Sequence, residues 1–77
     1  FLAGNYEEAI PVLEKSVAYN PENGDPYYAL GRSYREVGRN EEALTALEKF
    51  VEMLPLRDRA VTARRIIQEI KAEQAAQ

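Results

Sequence analysis

Along four stretches of this 77-residue chain, apolar side chains recur at spacings of three and four, and each stretch is bounded by residues that stop helices. Tyr6, Ala9, Ile10, Leu13 and Val17 form the first stripe, and the spacing predicts a helix over 6–19 with one buried side. Gly4 supplies a left-handed stop before it. Asn5 is expected to cap the helix, with Glu8 reaching back to complete a capping box. Pro11 lies inside, where it lacks an N–H and crowds the carbonyl of Glu7, so a local bend or a loosened first turn is expected. The breakers from Asn20 to Gly24 then turn the chain back antiparallel.

A second helix is expected over 26–37, with Asp25 as N-cap and Pro26 in the first helical position, where a missing N–H loses no bond. Its stripe is Tyr27, Leu30, Tyr34 and Val37, with Gly31 inside it. Glycine there costs up to about 1 kcal/mol relative to alanine. A backbone passing close by would explain it, and Ala43, small and inward, is the expected partner. Gly38 ends this helix, and Arg39 or Asn40 caps a third that runs to Leu54 before Pro55. Its stripe of Ala43, Leu44, Leu47, Phe50, Val51 and Leu54 is the strongest in the chain. Asp58 is expected to cap a fourth helix over 59–74, with Val61, Ala63, Ile67 and Ile70 inward and a fraying tail. The fold class is all-α, about four antiparallel helices.

Shifting the chain on itself by 34 residues aligns Phe1–Asn23 with Arg35–Arg57, and nine of the 23 positions are identical, among them Gly4/Gly38, Ala9/Ala43, Leu13/Leu47 and Pro21/Pro55. With this period of paired helices, and with Tyr27, Leu30-Gly31, Tyr34, Gly38, Ala43, Leu47 and Pro55 in order, the chain resembles the tetratricopeptide repeat family. The resemblance implies a helix-turn-helix superhelix fragment forming a single domain over 1–77. Residues 1–23 would be the second half of a repeat, 24–57 a complete repeat and 58–77 a capping helix. Phe1-Leu2-Ala3 reads as the end of a helix that starts upstream, so the chain is expected to be a piece of a longer array.

Three departures from the family pattern carry information. Asn40 replaces an aromatic. Phe50 stands where a small residue usually lets the next helix approach, so the third and fourth helices are expected to pack more widely or tilted. Arg64-Arg65 replaces Leu-Gly, and only Ala29/Ala63 matches when the shift is continued, so helix four is expected to close the array with Arg57, Arg64, Arg65, Gln68, Lys71 and Glu73 in water.

Composition narrows the chemistry. A net charge of −3 from 10 basic and 13 acidic residues, mixed along the helices, points to neither nucleic acid nor an anionic membrane. No apolar run approaches the roughly 20 residues of a membrane span. Without cysteine or histidine, the common zinc ligands and the usual neutral-pH base are missing, and no cofactor is expected. The tandem acids Glu7-Glu8 and Glu41-Glu42 sit in first helical turns, where they favour the helix dipole. Ser16, Ser33, Thr45 and Thr62 have no base to activate them, so no enzyme is expected.

The resemblance implies a concave groove lined by the first helix of each repeat, where a peptide or protein partner binds. Here the groove set is Asp25, Tyr28, Arg32 and Arg35, continued by Arg59, Thr62 and Ile66. Its arginines and an exposed tyrosine suit an acidic partner. The lysine and asparagine clamp by which some family members hold acidic chaperone tails is not preserved, since the matching points carry Tyr28, Ala29, Arg32, Arg59 and Ala63. A second expectation is homo-oligomerisation through an uncovered face of helix one, formed by Ile10, Val12, Leu13 and Val17.

Overall fold

In the computed structural model, which describes residues 5–76, four helices follow one another: α1 Tyr6–Tyr19, α2 Asp25–Glu36, α3 Asn40–Met53 and α4 Asp58–Ala75. Each packs on the next, α2 against α3 most extensively and α3 against α4 least. α2 also meets α4 directly, through Arg35 and Glu73 at 2.6 Å and through Arg59 over the Tyr28 ring at 5.5 Å, and the two form one layer. The shortest extent, 19 Å of 36 × 28 × 19 Å, is that of about two helix diameters. The all-α class and the four-helix order agree with the sequence. Gly4 and Phe1–Ala3 lie outside the described residues.

Helix starts differ from expectation. Asn5 is the N-cap of α1 but makes no side-chain capping bond, so no capping box forms. Asp25 and Asp58 are the first helical residues, after Gly24 and Arg57. At α2 the side chain that serves is Asn23, whose Oδ1 accepts from the Asp25 N–H at 3.3 Å. Pro11 leaves α1 unbroken across all 14 residues, with the Ala9 N–H bonded to the Asn5 carbonyl at 3.0 Å ahead of it.

Gly38 does what its position predicts. At φ +84° it lets the Arg39 N–H reach the Tyr34 carbonyl (2.8 Å) while its own N–H reaches that of Arg35 (3.2 Å), the double closure that satisfies a helix end. Gly31 also has its reason, but with a different partner. A β-carbon there would lie 2.5 Å from Leu47 Cγ and 3.3 Å from the Leu47 backbone nitrogen, so α3 crosses α2 at Leu47 and not at Ala43.

One core links all four helices: Ile10, Leu30, Tyr34, Ala43, Ala46, Leu47, Phe50, Ala60, Ala63, Ile66, Ile67 and Ile70. In α4, Ala63, Ile67 and Ile70 are buried as expected, but Val61 is not. Val61 is 68% exposed while Ala60 is fully buried and Ile66 is 8% exposed. Arg64 and Arg65 face water. Compared with α2, whose equivalent positions hold Tyr27, Leu30, Gly31 and Arg32, α4 is rolled about its axis. Burying two guanidinium groups where Leu30 and Gly31 sit would cost several kcal/mol per ion; the roll turns them outward. α4 brings two alanines, Ala60 and Ala63, both fully buried, into the same core as Phe50.

Candidate functional site

On the α2/α4 layer, Tyr28 is half-buried and not exposed, because Phe50 rises beneath it with ring centroids 5.1 Å apart, tilted by 49°. Phe50 itself is 1% exposed. Two arginines from different helices reach the same tyrosine ring, Arg32 of α2 at 5.9 Å and Arg59 of α4 at 5.5 Å from guanidinium carbon to centroid. Such contacts hold a cation near an aromatic face for about 0.5–1 kcal/mol each at exposed sites. Neither arginine makes an ion pair among the described residues. Beside them, between the starts of α2 and α4, a hollow of about 420 Å³ is lined by Asp25, Phe50, Arg57, Asp58 and Arg59.

The remaining expected groove residues fall elsewhere. Arg35 is engaged: its two terminal nitrogens donate to both Glu73 oxygens at 2.9 and 2.6 Å, and Nη1 also reaches Asn40 at 3.3 Å. The donation from Arg35 holds the Glu73 carboxyl below its ordinary pKa and, reciprocally, raises that of Arg35. Asp25 is exposed and pairs loosely with Arg57 at 3.6 Å. Thr62 is half-buried. Ile66, expected on the groove surface, belongs to the core, because the roll of α4 turns it inward. Sequence reasoning missed Phe50, Arg57 and Asp58 as parts of this site. Phe50 was visible as an aromatic in a position that usually holds a small residue.

On α1, Ile10 is a correction to the uncovered face: it is 4% exposed, on the stripe that packs against α2. Leu13 and Val17 are partly buried against the core, while Val12 is 67% and Tyr19 93% exposed. Ser33 is fully buried and donates to the Ala29 carbonyl at 2.8 Å.

The alternation of large and small inward residues, with Gly31 under Leu47 and Gly38 at the turn, is matched by a family model described as tetratricopeptide repeat over residues 1–67. The chain belongs to the tetratricopeptide repeat family. No curated protein matches the chain, and no solved structure does. Tetratricopeptide repeats generally mediate protein–protein interaction and are typically non-catalytic.

Proposed function

We propose that this chain works without catalysis, as the C-terminal end of a tetratricopeptide array, and that its α2/α4 face holds an acidic segment of a partner protein. Residues 1–23 then finish one repeat, 24–57 form the last complete one and 58–77 cap it. The observation that carries this reading is the convergence of Arg32 and Arg59 on one tyrosine, neither of them paired with a carboxylate among the described residues. A partner carboxylate placed between them gains charge-assisted hydrogen bonds. An apolar neighbour on the same segment would lie against the half-buried Tyr28 ring. Asp25 and Arg57 form the far rim, and Thr62 adds a hydroxyl beside Arg59 in sequence order along α4.

The test is fluorescence anisotropy with a short labelled peptide of aspartate and leucine. Arg32→Ala/Arg59→Ala should weaken binding about tenfold or more, equivalent to roughly 1.4 kcal/mol. Binding should also fall as salt is raised. An unchanged dissociation constant in the double variant would remove the assignment.

A second reading, self-association through the outer side of α1, is favoured by the exposure of Val12 and Tyr19, flanked by half-buried Leu13 and Val17. Light scattering tests it. A concentration-dependent mass that Val12→Lys abolishes supports this reading, and a constant monomer mass rules it out.

A further inference from the structure

A larger hollow lies on the other side of α2. It is an open trough of about 710 Å³, with Tyr27, Leu30 and Tyr34 in its floor and the outer side of α3 as its wall. That wall carries Glu41, Glu42, Glu48 and Glu52 against a single Lys49. The Tyr34 hydroxyl donates to Glu14 of α1.

One end of the trough is already occupied from within. The guanidinium of Arg39 lies 4.8 Å from the Tyr34 ring centroid while donating to both oxygens of Glu42 at 2.7 and 2.6 Å. A tyrosine face and a carboxylate thus hold an arginine there through cation–π attraction and a bidentate fork. The other end repeats the ingredients without the occupant. Tyr27 is half-buried in the floor, and Glu52 on the wall has no ion pair among the described residues. The other wall carboxylates are engaged, Glu48 with Lys71 at 3.5 Å and Glu41 with the Gln74 amide at 2.8 Å.

We propose that this trough is a second docking surface, and that its occupant is a basic, arginine-bearing segment of a partner protein that lays an apolar side chain against the half-buried Tyr27 and an arginine beside Glu52. The charge is opposite to that of the Tyr28/Arg32/Arg59 face, and the two lie on different sides of α2. The chain could therefore hold an acidic and a basic segment at once, and neither proposal depends on the other.

The test uses a short fluorescein-labelled peptide of arginine and leucine, read by anisotropy on the whole chain. Thr45→Lys/Glu52→Lys places two positive charges along the wall at exposed positions of α3. It should weaken binding about tenfold or more. Glu8→Lys/Glu69→Lys adds positive charge at exposed positions outside the trough and should change affinity less than about twofold. Circular dichroism of each variant checks that the fold is retained. Equal losses in both double variants would mean diffuse attraction to a negative protein and would overturn the proposal. So would unchanged binding in the trough variant, or equal affinity for a peptide in which serine replaces leucine.

Discussion

Gly31→Ala is the substitution whose cost can be worked most directly from the geometry. The added β-carbon would sit 2.5 Å from Leu47 Cγ and 2.7 Å from its Cδ2, distances at which something must move. Leu47 is fully buried and its own backbone nitrogen is only 3.3 Å away, so a side-chain rotation alone does not clear the clash and the α2–α3 crossing has to widen. Overpacking of this kind costs up to roughly 3 kcal/mol, and the better helix propensity of alanine returns about 1. The net loss is about 2 kcal/mol, a large part of the roughly 4–12 kcal/mol available to a domain of this length. Thermal unfolding followed by circular dichroism should show Tm lowered by about 8–16 °C. Leu47→Ala removes the clashing atoms. In that background only the 3.3 Å approach to the backbone nitrogen remains, so Gly31→Ala should cost clearly less than it does alone, although Leu47→Ala by itself costs about 2–5 kcal/mol. A Gly31→Ala protein that melts at or above the wild-type temperature would refute the close crossing.

The roll of α4 predicts that Val61→Lys, at a position 68% exposed, changes stability by less than about 0.5 kcal/mol, whereas Ile70→Ala, fully buried, costs about 2–5 kcal/mol; urea titration of the two variants measures both. Burial, and then the hydrogen bond to Glu14, push the Tyr34 phenol up to about 12, so absorbance titration should find one tyrosine ionising late, and Glu14→Gln should bring it earlier without restoring the ordinary value. Because this folded-state pKa lies above the unfolded value near 10, the associated stabilisation is fully present below about pH 10 and is lost as pH rises through about 12. It amounts to at most roughly 2–3 kcal/mol, an upper bound since the hydroxyl sits at the rim of the core.

What the sequence made legible follows from local physics. Stripes at helical spacing placed all four helices within a residue or two, and Gly38 had to be the turn because its left-handed φ suits little else. The caps slipped by one because the Asp25 and Asp58 carboxylates favour a first turn as much as a cap position. The partner of Gly31 was misread since both Ala43 and Leu47 are inward, and only the crossing point decides between them. In α4, Ile66-Ile67 in tandem leaves the inward stripe ambiguous, and the desolvation of Arg64 and Arg65 decides it. Arg35 looked free because Glu73 lies 38 residues away, a pairing that only the tertiary fold brings about. Tyr28 looked exposed for the same reason, since Phe50 of another helix lies beneath it.

The central claim is that the face built by Tyr28, Arg32 and Arg59 is where this chain takes an acidic segment of a partner, and amide chemical-shift mapping with the aspartate–leucine peptide tests it most directly. The account predicts saturable shifts clustered at Tyr28, Arg32, Arg59 and Thr62, with the trough over Tyr27 and Glu52 unmoved. Shifts centred on the trough, or none that saturate, would contradict it.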